Sequence, residues 1–501
     1  MGEIMQDKVS EVIDVCVIGA GPAGMSAAVR SARAGASVMV IDEQPVPGGQ
    51  IYRSIKEGGH PNGHILGPDY QQGSELVKAF YEADITHVKQ ATLWRVDEDN
   101  RIFWSQYGSA RNIIAKQIII ATGALERPFP FLGWTLPGVM TAGACQIMMK
   151  TSGLVPSQAV LVGTGPLIYL LAAQMLDAGV APKAIVDTQT PDSYLKAIKH
   201  AGGAFKGRKV LLKGLKLLAK LRSSGIKRYT SATEIIAEGT SQVERLTFKN
   251  RGSKVSLETQ TVLSHIGVIP NVQLTRAMGL EHHWDSIQLC WKPTLDEDNQ
   301  TSRSGVFVAG DGSGIGGAIV AQRQGELVAV KALQLLQTSK SEQLSVELNG
   351  LRADINNEMA IRPFLDTLYF PPAQALAPSD ETIICRCEEV TAGQIRQQVK
   401  QGAHGINQIK TYTRCGMGPC QGRYCGTTVG HIIHQETGLA MEKVGYYRLR
   451  NPIKPLKLGE LASLTPLEQS FMNKYRSRGT SHVTSTTSVH QPANEQSSYT
   501  Q

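Results

Sequence analysis

One short segment limits this chain more than any other. Residues 14–18, DVCVI, form an apolar run of strand type and lead directly into Gly19-Ala20-Gly21-Pro22-Ala23-Gly24. A stretch of small residues, MSAAVRSARAG, closes at Gly35, and a second apolar run, SVMVI, ends on Asp42-Glu43. The spacing predicts strand, glycine turn, helix and strand in succession. Gly19 allows the tight turn out of the strand. Gly21 lets the backbone approach a pyrophosphate, whose charge meets the helix N-terminus entered through Pro22 and Ala23. Gly24 permits close packing of helix on strand. A bare GxGxxG is weak evidence. Here its strand–helix context is complete, and Asp42 at the end of the second strand is in register to accept ribose hydroxyls, with Glu43 as the alternative.

The pattern returns. Residues 117–123, QIIIATG, read as a buried strand and turn. Residues 159–187 repeat strand, glycine turn, helix and strand, and residues 305–311, GVFVAGD, open a further Gly-rich turn and helix. The expected class is α/β, with a second dinucleotide-type unit inserted into the first. The expected division is 12–150 and 261–340 for the outer domain, 151–260 for the inserted one, 341–380 for a linker with Pro371-Pro372, 381–437 for a cysteine-bearing domain, 438–478 for a packed arm, and 479–501 for a polar tail.

Three further pieces, Pro47-Gly48-Gly49-Gln50-Ile51, Ile120-Ala121-Thr122-Gly123 and GVFVAGD, resemble the two-dinucleotide-domain flavoproteins of thioredoxin-reductase and glutathione-reductase type. The resemblance implies FAD in the first site, held by the Gly19–Gly24 turn, Asp42, Gly49, Gln50, Thr122, Gly123 and Asp311. Asp311 would hold the flavin ribitol, with the N-terminus of the next helix pointing at the flavin. The second glycine turn, Gly163-Thr164-Gly165-Pro166-Leu167-Ile168, has Ile168 where a third glycine belongs. A branched side chain there crowds the pyrophosphate path, so the inserted domain is expected to keep the fold without ordinary NAD(P)H use; it binds another adenine nucleotide or nothing. No redox-active CxxC is present, and Cys16, Cys145 and Cys290 stand alone as small buried hydrophobes.

Five of the eight cysteines lie between Cys385 and Cys425, in Cys385-Arg386-Cys387 and Cys415-Gly-Met-Gly-Pro-Cys420-Gln-Gly-Arg-Tyr-Cys425. Thiolates from two short turns can hold a [2Fe–2S] cluster, and zinc is the alternative. Pro419 is expected to start a helix carrying Cys420, and Thr391 with Gln394 forms a capping-box pattern. The segment is similar to the bacterioferritin-associated-ferredoxin-like (BFD-like) [2Fe–2S] domain appended to flavin dehydrogenases. That resemblance puts the ligands at Cys385, Cys387, Cys420 and Cys425 and leaves Cys415 as a spare thiol.

Charge narrows the partners. The formal net charge is +8, but residues 196–228 hold 11 Lys or Arg and no Asp or Glu, so the rest of the chain is near −3 (8 minus 11). This is one basic patch and not the overall charge of a nucleic-acid binder. Lys213, Lys216 and Lys220 are expected on a solvated helix face, with Leu211, Leu215, Leu218 and Leu221 on a core face; a face for a membrane surface or a partner is the alternative. His265 and Trp134 read as core residues. No signal peptide or long apolar span is visible, which points to a cytoplasmic protein in a reducing compartment, soluble or peripherally held at the inner membrane.

Taken together, GAGPAG, PGGQIYR, GALERPFPFLGWTLPGVMTAG, GTGPL, GVFVAGD and TRCGMGPCQGRYC resemble the FAD-type α subunits of heteromeric amine dehydrogenases. That group includes the larger FAD subunits of opine oxidases, the corresponding chain of hydrogen cyanide synthase, and the α subunits of D-hydroxyproline and L-proline dehydrogenases; length and the cysteine segment suit the opine oxidase type best. The resemblance implies a D-amino-acid-oxidase-like β subunit that carries the substrate flavin. With octopine the products would be pyruvate and arginine, and the present chain would conduct electrons. Further candidate partners are a membrane electron acceptor and a small third subunit. No catalytic acid–base pair is evident, so no catalytic residue is assigned.

Overall fold

A computed structural model describes residues 12–55, 63–336 and 341–464. The first parallel sheet runs in the order Thr86–Val88, Val38–Ile41, Val12–Ile18 and Ser109–Ile120, with Val306–Val308 also paired to the last of these. Ser109–Ile120 is long enough to serve two arrangements. Its second half pairs parallel with Val12–Ile18, and its first half pairs antiparallel with Arg101–Gln106, which continues to Thr92–Val96. The paired cores of the parallel strands, VCVI, VMVI and QIII, are buried almost throughout, as apolar runs covered on both faces require. Helices Pro22–Arg33 and Ala318–Leu336 cover one face and cross closely: a Cβ on Gly325 would lie 2.1 Å from the Ala23 carbonyl oxygen.

The second sheet is parallel throughout, in the order Lys227–Tyr229, Ala184–Asp187, Val160–Thr164, Val262–Ile266 and Val139–Thr141. Its outermost strand precedes residue 151 and another of its strands follows residue 260. The expected borders of the inserted unit therefore run through its own elements. Val139–Thr141 has only three residues, too few to give a periodic signal. Ala124–Glu126 and Val268–Pro270 pair antiparallel as the double connection between the two units.

The segment 341–380 is helical and not a linker. Helix Ser341–Met359 buries Leu344, Leu348 and Leu351, an i, i+4, i+7 stripe, against Leu327, Val330 and Leu333 of the preceding helix. Glu347 receives both Nε and Nη2 of Arg30 at 2.9 and 2.7 Å. Helix Arg208–Ser223 only partly forms the expected core face. Leu221 is buried, but Leu215 is 62% exposed, beside exposed Leu212, Phe205 and Ile198 on this and the two preceding helices. Lys213 and Lys220 pair with Asp69 and Asp177.

The last described unit is built on the hairpin of Ile383–Cys385 and Val390–Thr391 and on helices Ala392–Lys400, Ile406–Thr413 and Gly426–Thr437. The Thr391–Gln394 capping box is present. The expected arm packs back on the first unit: Ile453 donates its N–H to the Trp94 carbonyl at 3.0 Å, and Leu464 is buried beside Trp94 and Phe103. The rest of that arm, 465–478, and the expected tail, 479–501, lie outside the described residues. Among the described residues no helix is long and apolar enough to cross a membrane.

Candidate functional site

The first glycine turn is assembled from four separate segments. Gly19 turns at φ +104°, and a Cβ there would lie 2.5 Å from the Ala121 carbonyl oxygen, so the turn leans on the strand end that carries Thr122 and Gly123. A Cβ on Gly24 would fall 1.8 Å from the Gly19 carbonyl oxygen; helix and turn touch there with no room for a side chain. Gly21 differs. The nearest atom to a Cβ there is the Gly49 Cα at 3.8 Å, which leaves the approach to the helix N-terminus open. The Gly48 N–H donates to the Ala20 carbonyl at 2.8 Å, fastening the Gly48-Gly49-Gln50 loop beside the turn.

Asp42 points into this turn. Its Oδ2 accepts the Ala20 N–H at 2.5 Å and its Oδ1 accepts the Gln44 N–H at 2.6 Å. Burial pushes its carboxyl above the usual range, against the pull of those two donors. Glu43 turns outward and pairs with Lys454 of the arm at 2.8 Å. Asp311 sits in a turn of 3₁₀ type just before helix Ala318–Leu336, and its Oδ1 accepts the Gly316 and Gly317 N–H groups at 2.9 and 3.0 Å. A Cβ on Gly312 would stand 3.5 Å from the Gly123 carbonyl oxygen, so the Thr122-Gly123 and Asp311 turns face each other. Apart from Glu43, the sequence-predicted nucleotide segments thus meet around one space, with an open helix N-terminus and carboxylates at both ends. This donor set fits a dinucleotide of FAD type.

The second turn is built alike and finished differently. Gly163 and Gly165 keep left-handed φ values of +126° and +118°, but Ile168 lies buried in the first turn of helix Pro166–Asp177. Asp187, the counterpart of Asp42, is 1% exposed and already engaged. Arg228 Nη2 donates to its Oδ2 at 2.6 Å, the Tyr169 hydroxyl donates to the same oxygen, and the Gln189 N–H reaches Oδ1 at 2.8 Å. The sequence expectation rests on Ile168 alone and misses this group, although AIVD ends in register with the first unit's acidic strand end. His265 is a satisfied core histidine, 2.7 Å from Glu126 through Nδ1.

The cysteines converge in the third unit. The Sγ atoms of Cys385, Cys415 and Cys425, all buried, lie within 4.8 Å of one another. Cys415 and Cys425 donate toward Cys385 and hold its thiol down at about 2; Cys415 in return is pushed up to about 12. Such a set stabilises anionic sulfur, the ligand form for soft metals. Cys387 and Cys420 neighbour each other at the edge, Cys387 exposed and Cys420 half-buried, and burial raises the Cys387 thiol first of all. The four expected ligands are therefore divided between the buried group and this pair, and Cys415 stands inside the group. The expected helix at Pro419 is absent. Cys420 lies in a run of turns, and the helix starts at Gly426 with Cys425 as its N-cap. Gly416 and Gly422, at φ +87° and +78°, wrap this run around the Tyr447 ring, where a Cβ on either would come within 2.5 Å of ring carbons. The Tyr447 hydroxyl reaches Cys415 and Cys425 Sγ at 3.5 and 3.7 Å. Sequence reasoning missed Tyr447: Gly416 and Gly422 read from the sequence as room for backbone N–H groups beside the sulfurs, and the ring fills the space over both. Five thiolate donors within two adjoining turns fit an iron–sulfur cluster or zinc.

Side-chain hydrogen bonds tie the thiol centre to the other units. Gln273 Nε2 donates to the Cys420 and Gln421 carbonyls at 3.3 and 3.4 Å. Its own loop is tied to the nucleotide side, because the Asn271 N–H donates to the Gly123 carbonyl at 3.0 Å. Trp134 Nε1 donates to the Ile383 carbonyl at 2.7 Å, with Arg386 over its ring.

Comparison with known proteins agrees with this division. Residues 13–325 match the family described as pyridine nucleotide-disulphide oxidoreductase, and residues 379–464 match the sarcosine oxidase A3 domain. The A subunit of opine oxidase from Agrobacterium tumefaciens (strain Ach5) is 42% identical over 467 residues, covering 91% of this chain and 92% of that protein. Hydrogen cyanide synthase subunit HcnB of Pseudomonas aeruginosa is 28% identical over 465 residues, covering 89% and 98%. The solved structure of L-proline dehydrogenase from P. horikoshii matches with a TM-score of 0.64 at 20% identity, over 90% of this chain and 79% of that one, and speaks for the fold alone. The chain belongs to the pyridine nucleotide-disulphide oxidoreductase family and, within it, stands with the opine oxidase A subunits.

Proposed function

We propose that this chain is the electron-transferring subunit of a heteromeric opine oxidase or dehydrogenase. FAD would be held by Gly19, Gly21, Pro22, Ala23, Gly24, Asp42, Gly49, Gln50, Thr122, Gly123 and Asp311. A [2Fe–2S] cluster would be held by Cys385, Cys387, Cys420 and Cys425. When bound, these groups supply two-electron and one-electron carriage respectively. The substrate flavin would lie on a D-amino-acid-oxidase-like partner, where an opine such as octopine is oxidised at the carbon beside its secondary amine and hydrolysed to arginine and pyruvate. An acceptor at the inner membrane and a small third subunit complete the reading, and the free cysteines suit a cytoplasmic setting.

The chain's own residues have positional tasks. The open Gly21 approach and the helix behind it receive the pyrophosphate, Asp42 orients the ribose end, and Asp311 braces the turn at the flavin end. The single observation that carries the reading is the bridge from Gly123 through Asn271 and Gln273 to Cys420, a short hydrogen-bonded path between cradle and thiols.

The test is purification of the chain alone and together with a D-amino-acid-oxidase-like partner, followed by flavin and iron analysis and turnover of octopine, nopaline, proline, hydroxyproline and glycine. Flavin and iron in the lone chain, with opine turnover only in the complex, is the expected result. Amine consumption by the lone chain would overturn it. Bleaching of the flavin by NAD(P)H under anaerobic conditions would favour a self-sufficient reductase instead, against which the engaged Asp187 and the buried Ile168 both argue.

A further inference from the structure

The thiol centre has one sulfur more than a four-ligand cluster uses, and the extra sulfur is not remote. Cys415 Sγ lies within 4.8 Å of both Cys385 and Cys425 Sγ. Two thiolates on one tetrahedral metal, each at about 2.3 Å, stand roughly 3.8 Å apart, so this spacing is already close to that of shared ligation. Cys415 is 0% exposed, whereas Cys420 is half-buried in a turn flanked by Gly418 and Gly422 and is the more open of the two to oxidants. The backbone around Cys415 favours no ordinary helix or strand: Arg414 before it and Gly416 after it both hold left-handed φ values, +64° and +87°. The Tyr447 ring and hydroxyl hold that turn against the other buried thiols.

We propose that Cys415 is a reserve ligand, which takes the place of Cys420 on the cluster when that sulfur is lost. The proposal rests on the iron–sulfur reading above. The exchange is balanced without an oxidant or reductant. Cys420 would leave as a thiol after taking up a proton, and Cys415 would give up its proton and offer its thiolate in that place, one sulfur ligand for another. Cys385 and Cys425, common to the buried group and to the expected ligand set, stay in place. The consequence is a centre that keeps four sulfur ligands when Cys420, more open than Cys415, is no longer one of them.

The full-length chain carrying Cys415→Ala, Cys420→Ala or both is compared with the unaltered chain for iron and acid-labile sulfide content and for the EPR spectrum of the reduced cluster. Flavin content is measured on each sample as the sign of correct folding. Cys420→Ser is read in parallel with Cys420→Ala, so that a packing fault in one variant does not decide the result. Cys415→Ala is expected to keep its iron and an unchanged spectrum. The Cys420 variants are expected to keep most of their iron with shifted g values, and the double variant to lose iron to background while retaining flavin. Equal loss of iron in the Cys420 variants and the double variant overturns the proposal. Loss from Cys415→Ala alone does so as well, because Cys415 would then be a primary ligand. Absence of iron from the unaltered chain sinks the functional reading instead, and so the two failures are distinguishable.

Discussion

The two dinucleotide-type units share their plan and part at two positions. Both have a strand, two glycines at left-handed or extended turns, a proline opening the helix, and an aspartate ending the next strand. In the first unit the third position of the motif is Gly24, pressed so tightly on Gly19 that no Cβ fits; in the second it is Ile168, buried as part of the core. In the first, Asp42 is held only by backbone N–H groups at the mouth of the turn. In the second, Asp187 is closed in by the Arg228 guanidinium and the Tyr169 hydroxyl. A fold of this kind keeps its sheet and helices whether or not it keeps its ligand. What decides is whether the acid at the strand end is left for the ligand or consumed by the protein.

The largest test transplants the second unit's residue into the first. Gly24→Ile puts a Cβ 1.8 Å from a backbone oxygen, which no rotamer relieves. The helix must move, at a cost at or above the about 1–3 kcal/mol usual for overpacking. The expected result is loss of bound flavin with a lowered unfolding midpoint, read by absorbance of the purified protein and by thermal denaturation. A flavin-replete Gly24→Ile protein would break the comparison at its first position.

The next test opens the second unit. Arg228→Ala leaves Asp187, with 2% of its side chain exposed, without its cation. Stranding a buried charge costs about 3–5 kcal/mol; Arg228 is itself 31% exposed, so the lower end, about 3 kcal/mol, is expected in chemical denaturation. Asp187→Asn, which keeps the shape without the charge, should cost less than Arg228→Ala. A loss under about 1 kcal/mol for Arg228→Ala, the range of a surface pair, would mean that Asp187 is available to a ribose after all.

The same contrast marks what a single sequence discloses. The glycine turns, the Thr391–Gln394 capping box and the aspartates at 42 and 311 were legible because the physics that places them acts over a few residues: turn sterics, a cap, a strand end. The Asp187–Arg228–Tyr169 group was not, since its partners are 41 and 18 residues away and none is unusual alone. Nor was Tyr447, whose ring fills the space above Gly416 and Gly422 from a separate arm. The five cysteines were legible as a centre but not by rank, because sequence spacing treats Cys415 and Cys420 alike while the left-handed turns at Arg414 and Gly416 turn one inward. The stripe at Leu344, Leu348 and Leu351 was legible in principle and was outweighed by the prolines that follow it.

Lys150 couples the two units, and its effect is small over any one pH unit but has a sign that pH can read. It belongs to helix Ala142–Ser152, beside the second sheet, and is 3% exposed. Its Nζ donates to the Gln50 and Ile51 carbonyls of the first unit's loop at 3.0 and 2.9 Å, and to Gln146 at 3.0 Å. Burial, and secondarily the Arg53 charge, bring its ammonium down from 10.5 to about 7. In the unfolded chain the proton stays on until near 10.5, so between those values the unfolded state binds more protons and stability rises with pH. Below about 7 both states are protonated and the full burial penalty remains. Against Lys150→Met, measured with FAD in excess, the unaltered chain should gain up to about 1.4 kcal/mol per pH unit across the middle of that window. The carbonyls left without a donor in the variant add an offset that does not depend on pH, so the difference in slope carries the result. Parallel slopes would show that Lys150 keeps its proton in the folded protein, and the grip of the second unit on the first would then be a charged one.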